Sequence, residues 1–234
     1  MNRLFKKCAL LYFMLSLGLL MAQPNKGKVL LLATAFVPKG FYKPLMQEIE
    51  EDGFEADFLP MPKLGTNDFS VQAEVIHQYL SSLPKQEKVA VLAHSSGGIA
   101  LRAYLKKYGN EKIGKIIYLG VPHLGADATT FYNKTIPFVC KRVSACHQLV
   151  IGGDYINQLN QNFPETENTS NLIIEKDTFV KSKNSTLNSS PATVIQSICP
   201  DLKLEHFSFV RNKKVILGIV QLLNGQNLTF GCEA

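Results

Sequence analysis

The stretch "VLAHSSGGIALRAYL", residues 91–105, decides how the chain is read. An apolar run reaches His94, two serines and two glycines follow, and apolar residues then recur at helical spacing. A serine on so sharp a strand-to-helix bend is exposed above the sheet. This requires small residues two positions before and two after it, so that strand and helix can close up. Ala93 and Gly97 fill those positions around Ser95, giving Ala-x-Ser-x-Gly. Moving the register to Ser96 would put His94 where only a small residue fits. Ser95 is therefore the candidate nucleophile. The N–H of Ser96, first in the helix, is aimed where an oxyanion would develop. The competing reading is a plain tight turn, and the surrounding chain discriminates between the two.

Outward from this stretch, apolar runs of strand length alternate with segments of helical period. Residues 28–35, 54–60, 88–94, 114–122, 171–177 and 192–198 read as strands. Residues 42–53, 67–83, 97–109 and 212–225 read as helices. In the second of these, Phe69, Val71, Val75, Ile76, Tyr79 and Leu80 share one face, with Asn67 or Asp68 as the cap. Strands apolar on both faces and separated by helices predict an α/β fold, a mostly parallel central sheet with helices on each side. Ligands in such sheets bind beyond the carboxyl ends of the strands, where Ser95 falls.

Residues 123–170 break the alternation. They lack a clear period, carry Pro137, Pro164, Cys140 and Cys146, and hold Phe131, Tyr132, Ile136, Phe138 and Val139. A long irregular insertion in a compact domain is usually functional, and this one is expected to form a cap over the site.

The first 22 residues differ from the rest. "MNRLFKK" is basic, "CALLYFMLSLGLLM" is an apolar run of 14 residues, and a polar stretch follows Ala22. This is the layout of a secretory signal peptide, and the run is shorter than the roughly 20 residues of a membrane span. Residues 23–234 are then a single exported domain, secreted or periplasmic. An uncleaved anchor is the lesser alternative. Removing the three basic residues of the leader takes the formal net charge from +6 to +3. So small an excess suits an anionic membrane surface better than nucleic acid. Four cysteines remain, and an even number in an exported chain suggests disulfides. Of the three pairings, Cys140–Cys146 with Cys199–Cys232 is favoured over the others and over buried thiols. Metal-ligand spacing is lacking, so no zinc site is expected.

"VLAHSSGGIALRAYL" followed by "GKIIYLGVPHLGA" resembles the α/β-hydrolase lipases and esterases, above all the small secreted bacterial triacylglycerol lipases. "GGDYINQLN", residues 152–160, is similar to a helix of that family's cap. The resemblance runs from about Lys28 to Gly225 and implies the chain order serine, acid, histidine. Asp177, in "LIIEKDTFV", takes the acid's place, with Glu175 and Asp201 as rivals. His206, in "LEHFSFV" before the closing helix, takes the place of the base. His94 is expected to pack beside the bend, and His123 to shape the loop behind the site. His77 and His147 read as ordinary polar positions.

The chain departs from the family where His-Gly usually follows the first strand. It reads Thr34-Ala35, with Phe36 as the second oxyanion donor by position. The resemblance implies a serine hydrolase of carboxylic esters acting on a lipid or small ester, without metal or cofactor and with peripheral membrane contact. Two other readings stand beside it: an envelope acyltransferase or thioesterase, and an impaired hydrolase fold that binds lipid or another partner. Oligomeric state has no signature in the sequence.

Overall fold

The computed structural model describes residues 25–163, 168–187 and 192–232. The leader expected at residues 1–22 lies outside them.

Six strands form one sheet: β1 (Lys28–Leu32), β2 (Glu55–Leu59), β3 (Val89–His94), β4 (Ile113–Leu119), β5 (Thr169–Ile173) and β6 (Ala192–Val194). The helices are α1 (Lys43–Glu51), α2 (Phe69–Ser82), α3 (Ser96–Tyr108), α4 (Asp127–Thr135), α5 (Pro137–Arg142), α6 (Ser144–Gln148), α7 (Asp154–Asn160), α8 (Ile195–Ile198) and α9 (Lys213–Leu223). The strand order is β2-β1-β3-β4-β5-β6, and each neighbouring pair is parallel. The chain runs from β1 out to β2 and returns to the other side of β1 as β3. That reversal opens a crevice between the carboxyl ends of β1 and β3, the usual ligand position in an open α/β sheet.

Alternation along the strands builds a core on each face. Leu30, Leu32, Val91 and Ala93 pack against α2 and α3 through Phe69, Ile76, Ile99 and Leu105. Val29, Leu31 and Leu92 pack against α1 and α9 through Leu45, Ile49, Ile216 and Ile219. Asp68 caps α2 by accepting the Ser70 N–H at 2.8 Å, which resolves the choice of cap. Asn212 caps α9 in the same way, accepting the Lys214 and Val215 N–H groups. On α2 the exposed Val71 departs from the expected buried face. Gln72 is buried instead and donates to the carbonyls of Gly65 and Asn67.

The contact between β1 and α3 depends on Gly97. A Cβ there would lie 2.5 Å from the Leu32 carbonyl oxygen and 2.7 Å from that of Ala33. Both are backbone atoms and cannot rotate away, so Gly97→Ala must push β1 and α3 apart. Overpacking of this kind costs about 3 kcal/mol. The expected result is a fall in Tm of roughly 5–10 °C in a thermal melt.

Two expectations are corrected. The insertion expected to be irregular holds four short helices, α4–α7, between Asp127 and Asn160. These run from five to nine residues, too short for a helical period to register in the sequence. Moreover α7 does not cover the site; Ile156 and Leu159 join the core beside α3. The strand expected at 192–198 is the three-residue β6 followed directly by α8.

Disulfides join Cys140 to Cys146 and Cys199 to Cys232, bonds typical of an oxidising compartment. Among the described residues, no helix is long and apolar enough to cross a membrane.

Candidate active site

Ser95 sits between β3 and α3 with φ 53° and ψ −123°, a strained conformation for a residue with a Cβ. Its neighbours hold it there. Its N–H donates to the Leu119 carbonyl at 2.9 Å, and its carbonyl accepts the Gly98 N–H at 2.9 Å. The sheet thus fixes one side of the bend and the first helical turn fixes the other. The N–H of Ser96 opens α3 at this point, as the sequence predicts.

His206 begins a short 3₁₀ turn, His206–Val210, before α9. Its Nδ1 lies 2.6 Å from Asp177 Oδ2. The other carboxylate oxygen accepts the N–H groups of Phe179 at 2.8 Å and Val180 at 2.9 Å. Asp177 is thereby locked by its own loop, and the His206 side chain is only 3% exposed. With Nδ1 paired to the carboxylate, Nε2 is the ring nitrogen turned away from Asp177. The rivals Glu175 and Asp201 are exposed. Among the described residues no hydrogen bond joins Ser95 to His206, but both line one cavity. Such contacts are commonly long until substrate is engaged.

The segment after β1 explains the Thr34-Ala35 departure. The second serine of the bend is its partner: Ser96 Oγ accepts the Ala35 N–H at 2.9 Å and lies 3.2 Å from Thr34 Oγ1. The side chain at 34 thus ties β1 to the bend. Backbone strain in this segment falls on Phe36, with φ 64°. The Phe36 N–H is also not free. It donates to the Leu64 carbonyl at 2.8 Å, and Lys63 and Leu64 are themselves left-handed at φ 48° and 53°.

The cavity measures about 470 Å³ and is bounded by Phe36, Ser95, Ser96 and His206 on the sheet side. Ala128 and Tyr132 of α4, Ala145 and Cys146 of α6, and Leu149 close it from the cap. Its walls are mainly apolar. They would accept a hydrocarbon chain far more readily than a charged group. Of the apolar cap residues picked out by sequence, Tyr132 lines it, whereas Phe131, Ile136 and Phe138 are exposed.

The other histidines are accounted for. His94 is fully buried, and burial together with His206 pushes its pKa well below the ordinary range. His123 is also buried and kept neutral, first by desolvation and then by Arg102; its carbonyl accepts from Arg102 and Asn160. His77 stacks on Tyr108 at 3.8 Å, and His147 is exposed. Sequence reasoning missed Tyr42, which accepts the Thr34 N–H at 3.0 Å and meets His94 Nδ1 at 2.9 Å. It also missed the Leu64 carbonyl, since a backbone acceptor leaves no residue signature.

A parallel sheet reversing between β1 and β3, with a serine on the bend after β3, defines an α/β-hydrolase. Residues 39–214 match the palmitoyl protein thioesterase family, and the chain belongs to it. It is an enzyme of the ester-hydrolase class. Among solved structures it is similar to Aspergillus fumigatus lipase B, with a TM-score of 0.71 at 16% identity. That match covers 89% of this chain but 55% of the other, so the chain spans little more than half of that lipase. Bacillus licheniformis lipase BlEst2 in its mature form gives a TM-score of 0.67 at 15% identity, covering 86% of this chain and 93% of that one. At such identities these likenesses carry the fold. No curated protein sequence matches the chain closely.

Proposed function

We propose that the chain is an exported serine hydrolase that cleaves fatty acyl esters and thioesters through an acyl-enzyme. One observation carries the reading. Ser95 opens into the same apolar cavity as His206, whose second nitrogen is held by Asp177. His206 takes the Ser95 proton as Oγ attacks the acyl carbonyl, then gives it to the departing alcohol or thiol. Water repeats the step and frees the acid. Asp177 keeps the imidazole in the working tautomer and stabilises its charged form. The Ser96 N–H receives the oxyanion. The Phe36 N–H joins it when the oxyanion displaces the Leu64 carbonyl, and such a donor is worth roughly 10²–10³ in rate. These steps draw on no metal or organic cofactor.

The apolar cavity supports an acyl chain as the bound group, and the family match supports thioesters beside esters. Export is supported by the leader-like pattern of residues 1–22 and by the two disulfides. Exposed Phe36, Leu64 and Phe179 near the cavity mouth support peripheral contact with a membrane.

The test compares palmitoyl and acetyl groups as p-nitrophenyl esters and as thioesters. Turnover of the palmitoyl substrates is the expected result. Acyl groups passed to an added alcohol in preference to water would mark a transferase. A chain that turns over nothing and takes no fluorophosphonate at Ser95 would overturn the reading in favour of a binding protein. Ala128→Trp puts a large ring into the cavity from α4. It is expected to cut palmitoyl turnover by about tenfold or more while sparing acetyl substrates, as the ratio of the two kcat/KM values will report.

A further inference from the structure

We infer that Tyr42 and His94 are positioning residues that set the place of the His206 imidazole. The inference rests on the catalytic reading above.

A buried chain of hydrogen bonds runs across three segments of the site. It starts at the Thr34 N–H, 3.0 Å from Tyr42 Oη. Tyr42 Oη lies 2.9 Å from His94 Nδ1, and His94 Nε2 lies 3.4 Å from the His206 carbonyl oxygen. The two ends fix its direction. A backbone N–H only donates and a carbonyl only accepts. Tyr42 Oη therefore accepts from Thr34 and gives its own hydrogen to His94 Nδ1. That leaves the His94 hydrogen on Nε2, facing His206. Each group has one role, and reversing any link leaves a clash or an unpaired group at an end.

The surroundings preserve this arrangement. Tyr42 and His94 are both wholly buried. Desolvation holds the phenol protonated and the imidazole neutral, which the chain requires. The rings of His94 and His206 lie 5.2 Å apart, and Phe209 packs on both. His94 directly precedes Ser95, so the same residue that closes β3 beside the nucleophile also grips the backbone of the base. Thr34 begins the segment that carries Phe36. One phenol thus links the oxyanion segment, the bend and the base loop.

The role is positional because neither side chain lines the cavity. Tyr42→Phe removes one oxygen and leaves the ring packing intact. It is expected to lower the acylation rate about 10- to 100-fold through displacement of the base, with KM nearly unchanged. In a His206→Ala background, Tyr42→Phe is expected to cost nothing further in single-turnover acylation by an activated aryl ester. His94→Gln supplies one acceptor and one donor and is expected to keep more activity than His94→Leu. That comparison carries the test should Tyr42→Phe fail to fold.

An equal loss from Tyr42→Phe with and without His206, a loss confined to KM, or equal activity in the two His94 variants would overturn the role. These results leave the catalytic reading intact. If His206→Ala itself keeps full activity, that reading falls and takes this one with it.

Discussion

Ser95→Ala is expected to lower kcat on every cleaved acyl substrate by about 10⁶-fold while the chain melts close to the wild-type temperature. The size follows from the chemistry. In the proposed reaction Oγ is the atom that forms the acyl bond, and no neighbour on the bend can take its place. Ser96 Oγ is already committed to Ala35 and Thr34. What survives is the assistance of binding and oxyanion donors, about 10³–10⁴ over water. The stability follows from the structure. Among the described residues, Ser95 Oγ makes no hydrogen bond, and alanine meets the φ of 53° no worse than serine does. Turnover of p-nitrophenyl esters, fluorophosphonate labelling and a thermal melt together check the outcome. Retention of a large share of the rate by a folded variant would place the nucleophile elsewhere.

Asp177→Asn is expected to cost about 10⁴-fold in kcat with little loss of stability. The asparagine carbonyl oxygen can still accept the Phe179 and Val180 N–H groups that now bond Oδ1. Its amide nitrogen must then face His206 Nδ1. Two donors cannot share that contact, so the imidazole moves its hydrogen to Nε2 and can no longer take a proton from Ser95. Asp177→Ala is a poorer probe. It strands two backbone donors, one of them on the buried Val180, at about 1–3 kcal/mol each. Glu175→Gln and Asp201→Asn serve as controls; both carboxylates are exposed and their loss is expected to leave kcat unchanged. A folded Asp177→Asn variant with near-normal kcat would exclude this carboxylate from the chemistry.

How much of this was legible in the sequence depended on what each feature demands of side chains. The bend at Ser95 was readable because close packing of β1 and α3 restricts residues 93 and 97 to small ones. The sheet was readable because strands buried on both faces must be apolar throughout. Asp177 and His206 came from their order in a family pattern, and the structure brings them to 2.6 Å. The cap helices were not readable, since a five-residue helix such as α6 offers barely more than one turn of period. Tyr42 was hidden because a tyrosine ahead of an amphipathic helix looks like any other core aromatic. The Phe36 strain escaped because nothing in the side chain announces a left-handed backbone. Thr34-Ala35 read only as a departure from the family pattern, yet the hydroxyl at 34 is bonded to the bend.

The two disulfides divide the molecule by their dependence on oxidation. Cys199–Cys232 ties the C-terminal segment to the end of α8, at a sequence separation of 33. Cys140–Cys146 spans only 6 positions and clasps α5 to α6, and Cys146 itself forms part of the cavity wall. The sheet, the bend and the carboxylate–imidazole pair owe nothing to that clasp, whereas the chamber beside them does. Chain made in a reducing cytosol would lack both bonds, and with the local one gone the receptacle wall at Cys146 would slacken. Its choice among acyl lengths would reflect where it was synthesised as much as which residues it contains.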